Sequence, residues 1–157
     1  MTCTHYLTLS TDARCGTYGK VNPPLRQATD VEALWQGFAD GSVDSIGSDH
    51  NARHKSFKEK DVWSATAGFP GVGVLLPLTL AEGLRRGIDL SRIVDATSTR
   101  AAKLFGLYPR KGVIRVGSDA DLAIVDLHGT TTIDAPRQHS AAQYTPWQDT
   151  DVPVRVV

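Results

Sequence analysis

Apolar residues recur at Val31, Leu34, Trp35 and Phe38, the i, i+3, i+4, i+7 spacing that gathers side chains on one face of a helix. Thr29 and Glu32 fit a capping box at its start, and Gly41 fits its stop. A second helix is predicted from the Gly71–Pro77 region to Arg86, with Leu76, Leu80 and Leu84 on one face and Arg85-Arg86-Gly87 at its end. A third is predicted over Leu90–Phe105, striped by Ile93, Val94, Thr97, Ala101, Leu104 and Phe105, with Gly106 closing it. The first ten residues alternate loosely and read as a short strand. Residues 11–28 read as a loop, because Gly16, Gly19, Pro23 and Pro24 interrupt any regular element. Ser42–His50 reads as a short strand ending in polar residues. Residues 51–70 form a long polar stretch of the kind that carries function or disorder. After Gly112 the pattern turns to strands, at Val113–Val116, Asp121–Asp126 and Val152–Val157. The chain therefore divides into a βα-type region, 1–106, and a β-rich region, 107–157. Its open sheet edges require a covering surface.

Composition narrows the classes of function. Seventeen basic residues balance seventeen acidic ones. No excess cations exist to neutralise phosphates, which argues against nucleic acid or an anionic membrane as partner. No apolar run approaches the roughly 20 residues that span a bilayer, and the N-terminus lacks the features of a signal peptide. Two cysteines, Cys3 and Cys15, do not make a disulfide scaffold. A reduced, cytoplasmic protein is the expectation.

Three stretches carry candidate chemistry. Ser48-Asp49-His50 ends an apolar strand, where a carboxylate can ligate a metal or take a proton from water. From that tripeptide alone a second reading stands, with Asp49 capping the next segment and His50 packing against it. Lys20-Val21-Asn22-Pro23-Pro24-Leu25-Arg26 holds Asn22 on a stiff loop, and its side chain offers a donor and an acceptor that suit an amide or imide substrate. A rigid crossover without a ligand is the alternative there. Gly68-Phe69-Pro70-Gly71-Val72-Gly73 either brings backbone N–H groups to a ligand or simply opens a helix. His5 and Cys3 are too few to form a metal site by themselves.

Taken together and in order, several stretches resemble the cyclic amidohydrolases: hydantoinase/dihydropyrimidinase, allantoinase and dihydroorotase, within the amidohydrolase superfamily. They are Thr2-Cys3-Thr4-His5-Tyr6-Leu7, Lys20–Arg26, Leu34-Trp35 with Asp40–Asp44, Ser48-Asp49-His50, Gly68–Gly71, Ala101–Leu107, Lys111-Gly112 and Gly117–Leu122. The resemblance implies an α/β fold, a metal-dependent (β/α)8 TIM barrel plus a small β-sandwich. It implies that residues 1–106 are the C-terminal segment of the barrel and 107–157 part of the sandwich. The family's His-x-His, its carboxylated lysine and two further histidines would then lie before Met1, and the 157 residues alone would be inactive.

By the same resemblance, Asp49 is the last-strand aspartate that ligates metal and shuttles the proton of the attacking hydroxide. Asn22 and Gly71 contact the substrate, and His5 is not a metal ligand. The implied cofactor is a divalent metal, two zinc ions about 3.5–4 Å apart that activate a water. The implied partners are a small cyclic amide or ureide and other copies of the chain in a homo-oligomer. Arg53 stands where dihydroorotases carry a histidine, and Gly73 where relatives often carry Glu. Arg53 weakens the likeness to dihydroorotase, while Thr2–Leu7, Asn22–Arg26 and Trp35 lean to a hydantoinase-like or allantoinase-like activity. A non-catalytic assembly partner, or a hydrolase of exocyclic amides or amines, are the other readings.

Overall fold

Helix α2, Ala28–Asp40, forms where the apolar spacing predicts it, and Trp35 and Phe38 are its buried residues. The computed structural model describes residues 1–157 in full. The capping box is set two residues earlier than expected. Gln27 accepts from the third helical N–H, and Asp30 accepts from the Gln27 N–H at 3.0 Å. Glu32, expected to serve that box, takes the two-pronged guanidinium of Arg86 at 2.5 and 2.7 Å. A strong acceptor at the third helical position leaves Glu32 free for a distant cation. Gly41 ends the helix at φ +89, a conformation that favours glycine.

The N-terminal strand is shorter than expected. Strand β1 is Thr2–Cys3, and residues Thr4–Thr8 turn into a short helix, α1. The override is tertiary. The indole of Trp35 donates to the Leu7 carbonyl at 2.7 Å and that of Trp147 to the Thr8 hydroxyl at 3.1 Å, fixing a turn where alternation suggested a strand. Strand β2, Ile46–Gly47, pairs in parallel with β1, Thr2 facing Ile46. Parallel pairing through the intervening helix is the βα unit that the first half of the sequence implied.

Helix α3, Val72–Arg85, buries Val74, Leu78 and Ala81, together with Thr79, Leu80 and Gly83, while the expected Leu76 and Leu84 are half-buried beside them. The third predicted helix is three pieces: α4, Leu90–Val94, a π-helical turn at Asp95–Thr99, and α5, Arg100–Leu104. The wider turn shifts the phase of the buried face. Ile93, Ala96 and Ala102 are buried, whereas Val94, Leu104 and Phe105 of the predicted stripe are exposed. Gly83 lets α3 and α4 meet closely, since a Cβ there would lie 2.7 Å from Ile93.

The C-terminal third departs most from expectation. Val113–Val116 and the first part of Asp121–Asp126 form no ladder, and Ile114, Val116, Leu122 and Ile124 are 65–102% exposed. Pattern alone does not make a strand when no neighbouring strand supplies hydrogen bonds. The ladders that do form are two residues long. Strand β3, Val125–Asp126, pairs antiparallel with β6, Arg155–Val156. Strand β4, Thr131–Thr132, pairs with β5, Asp151–Val152. The predicted strand Val152–Val157 is thus split between two partners. One hydrophobic core runs through the molecule, joining Leu7, Phe38, Phe69 and Ile93 to Ile133, Tyr144, Trp147 and Val154. No helix is long and apolar enough to cross a membrane.

Candidate functional site

Two elements converge on Asp49. Strand β2 delivers Ser48-Asp49-His50 at its C-terminal end, and β1 turns at once into α1, which carries His5 beneath them. Asp49 adopts φ +46, a left-handed conformation that Asp and Asn tolerate better than most residues. Its side chain is 48% exposed, so the carboxylate is open to a ligand. His5 is 1% exposed, with Nε2 at 4.0 Å from Asp49 Oδ2 and no hydrogen-bond partner of its own. That separation is an electrostatic contact and too long for a hydrogen bond. The His5 ring lies between Tyr6, 4.1 Å away, and the edge of Phe69, 5.2 Å away. Burial pushes its pKa down to about 4 against the upward pull of Asp49. His5 is therefore a neutral imidazole at neutral pH.

The Gly-rich segment packs directly on the end of β2. A Cβ on Gly71 would sit 2.3 Å from the Ser48 carbonyl oxygen, so only glycine allows this approach. The N–H groups of Gly71 and Val72 donate to His50 Nδ1, each at 3.3 Å, tying the start of α3 to the residue after Asp49. The N–H of Asn51 donates to the Phe69 carbonyl at 3.0 Å. Gly71 and Asp49 are thus brought together. The segment opens α3, the helix-entry reading of it, and its first N–H groups are taken by His50. At Gly73, the space a side chain would take is filled by Gln138, whose Oε1 lies 2.4 Å from the position of a Cβ.

Asn22 is exposed and borders an open groove of 350 Å³ with Cys15, Lys20, Leu25 and Val62. Its loop is tied to the other two segments at separate points. The Tyr6 hydroxyl donates to the Pro23 carbonyl at 2.6 Å, and the Gly68 N–H donates to the Lys20 carbonyl at 2.9 Å. A cavity of 670 Å³ lies elsewhere. It is an apolar space between α3, α4 and residues 111–127, and none of Asp49, Asn22 or Gly71 lines it.

Sequence reasoning missed two buried polar residues under the site. Lys58, in the long stretch 51–70, is 0% exposed. Tyr144, from the polar tail, is 7% exposed and donates its hydroxyl to the Gly68 carbonyl at 3.0 Å. Neither bears a motif. Lys58 is one of several lysines in a polar run, and only the fold distinguishes it. Cys3 and Cys15 are both free thiols, and burial pushes the pKa of each up.

Tyr144 yields a pH prediction. Burial, then the neighbouring Tyr18 phenol, pushes its pKa up to about 12 from an ordinary value of 10.0. The unfolded phenol ionises near 10, so the stability held below pH 10 is lost as pH rises toward 12. Two units correspond to a loss of up to about 3 kcal/mol. Urea midpoints measured from about pH 9 to 12 should fall more steeply for the wild type than for Tyr144→Phe. Equal slopes would remove Tyr144 as the source.

No group of three or more His, Cys, Asp or Glu side chains converges anywhere in the 157 residues. Asp49 offers one oxygen-donor ligand at an open position, which suits a divalent cation, but one ligand does not hold it.

The chain belongs to the amidohydrolase family, whose sequence profile matches residues 12–157. It is 43% identical over 148 residues to an L-hydantoinase of Paenarthrobacter aurescens, covering 90% of this chain and 32% of that protein. It is 40% identical over 146 residues to a dihydroorotase of Halobacterium salinarum, covering 92% and 34%. Among solved structures, an L-hydantoinase (dihydropyrimidinase) from Arthrobacter aurescens matches with TM-score 0.89 and 40% identity, over 98% of this chain and 36% of that one. A D-hydantoinase from Bacillus sp. AR9 matches with TM-score 0.90 and 36% identity, over 99% and 36%. The chain spans about a third of the length of the relatives it matches. The family generally uses divalent metals such as zinc.

Proposed function

We propose that these residues form the proton-transfer and part of the substrate-binding wall of a cyclic-amide hydrolase, hydantoinase-like in its substrate class. The observation that carries this is Asp49, an open carboxylate at the C-terminal end of β2, flanked by Gly71 and lying over a buried neutral His5. Hydantoinases and dihydroorotases among the relatives support the same reaction class. Residues 1–106 would be the last part of a (β/α)8 barrel, and 107–157 part of a β-sandwich. Asp49 would be one ligand of a divalent metal centre, two zinc ions in the full reading, completed by residues outside these 157. When bound, the metal supplies an activated water and polarises the ring carbonyl.

The chain's own residues do the rest. Asp49 accepts the proton of the attacking water and returns it to the leaving ring nitrogen. Its side chain is half exposed, free to turn between a donor and an acceptor. Asn22 offers its amide to the cyclic amide, donor to carbonyl and acceptor to N–H. Gly71 lets the backbone beside Asp49 close against the ring. The substrate is a small cyclic amide or ureide, and the working form is a cytoplasmic homo-oligomer.

The test is a substrate panel on the complete protein that carries these residues, before and after removal of metal by a chelator. Opening of hydantoin and dihydropyrimidine rings is expected, lost on chelation and regained with zinc. Preference for dihydroorotate would move the assignment within the family, and activity on exocyclic amides or amines alone would overturn it. Against dihydroorotate stands Arg53, an exposed residue whose N–H bonds Asn51 Oδ1 at 3.3 Å.

A further inference from the structure

A buried lysine without a carboxylate partner is an expensive residue. Lys58 is 0% exposed, yet the acid beside it, Glu59, is taken by the Tyr18 hydroxyl at 2.9 Å. Taking an ammonium from water costs free energy unless its three donors are all satisfied. Here each one is. Nζ donates to the carbonyls of Lys20 at 2.8 Å, Thr66 at 2.9 Å and Gly68 at 3.0 Å. The rings of Phe69 and Tyr144 flank it, each with its centroid 5.9 Å away. Burial, then the charge of Lys20, pushes its pKa down to about 8, which leaves the ammonium charged at neutral pH.

The three carbonyls come from two segments far apart in sequence. Lys20 precedes Val21-Asn22, and Thr66 and Gly68 precede Phe69-Pro70-Gly71. The same knot is closed by Gly68 N–H donating to the Lys20 carbonyl and by Tyr144 donating to the Gly68 carbonyl. The Thr17 hydroxyl donates to Lys58's own carbonyl at 2.7 Å, fixing the lysine backbone as well. An apolar side chain of equal length would fill the space with less desolvation. What it would not do is pull carbonyls from two loops onto one point.

We propose that Lys58 is a positioning residue that sets the spacing between the Asn22 loop and the Gly68–Gly71 wall, and so the width of the cyclic-amide pocket. This rests on reading Asn22 and Gly71 as substrate contacts. Lys58 touches no substrate, so its loss acts through those two segments. Weaker binding with the chemical step intact is the signature of such a role.

The experiment compares wild type, Lys58→Met, Lys58→Arg and Lys60→Met in the complete protein, with hydantoin as substrate. Lys60 is exposed and serves as the control. For Lys58→Met, KM should rise about tenfold or more while kcat stays within about threefold. Metal content should not change. Deuterium uptake should rise in peptides covering 18–22 and 66–71 and stay constant in 28–40. Lys58→Arg keeps the charge and should recover part of the lost KM, and Lys60→Met should match wild type. An unchanged KM, or a fall confined to kcat, overturns the proposal. If neither Lys58 variant folds, the residue serves folding alone and the proposal fails. If wild type opens no cyclic amide, the functional reading fails by itself. The uptake pattern then decides whether Lys58 joins the two segments, and equal uptake in both proteins overturns the clamp.

Discussion

Asp49→Asn in the complete enzyme is expected to lower turnover of a cyclic amide by about 10³-fold or more, while the fold survives. The two halves of that statement come from different observations. The substitution keeps the shape and one oxygen donor, but an amide cannot take up the proton of the attacking water and pass it on. The fold survives because Asn tolerates left-handed backbone as Asp does, and position 49 is held at φ +46. The side chain is also 48% exposed and makes no hydrogen bond that the fold needs. Stability should therefore stay within about 0.5 kcal/mol. Asp49→Ala is the informative contrast, since it adds a left-handed strain of about 1–2 kcal/mol to the loss of the carboxylate. Steady-state kinetics with thermal melts of both variants separates the two effects. Near-normal hydrolysis by Asp49→Asn would remove the residue from the mechanism.

The second large effect is expected at Gly71. Alanine there places its Cβ 2.3 Å from the Ser48 carbonyl oxygen and 3.3 Å from the carbonyl carbon. Both are backbone atoms on the end of β2, so no rotamer relieves the clash. The chain must part from β2, at an overpacking cost of about 1–3 kcal/mol, a melting temperature lower by roughly 2–12 °C for a domain of about 150–250 residues. The displaced atoms adjoin Asp49, so kcat/KM should drop about 100-fold as well. Gly73→Ala, two residues on, meets only the amide end of Gln138. That side chain can swing away, so the cost should be smaller. Equal damage from the two substitutions would mean that close packing on Ser48 is not what Gly71 provides.

The parts of this molecule that were legible in sequence are those fixed by neighbours along the chain. The α2 face, the ends of α3 and the polar tip of β2 each follow from periodicity, a stop residue or a strand running into Asp49. What was not legible depends on distant groups. Thr4–Thr8 alternates like a strand, yet two tryptophan indoles from residues 35 and 147 hold it as a helical turn. Val113–Val116 has strand composition and no strand beside it to complete a ladder. The stripe read for Leu90–Phe105 assumed one period throughout, and the π turn at Asp95–Thr99 breaks it. In the site, Asp49, Asn22 and Gly71 stood out by motif, and Gly71 was found against the Asp49 turn. Lys58 and Tyr144 did not stand out. A residue that works through backbone carbonyls leaves no side-chain pattern to read, because any sequence supplies carbonyls.

The shared core also bears on how the chain is made. Trp147 donates to Thr8 across 139 positions and packs edge-on to Phe69, with ring centroids 5.6 Å apart. Ile133, Tyr144, Val152 and Val154 join the same core. A ribosome releases Leu7, Trp35, Phe38 and Phe69 well before it releases these partners. For that interval the apolar side chains of these residues lack the partners that cover them here, and apolar surface left bare on a nascent chain is prone to aggregate. Residues 133–154 leave the ribosome after the residues they cover, and this core closes only once they are released.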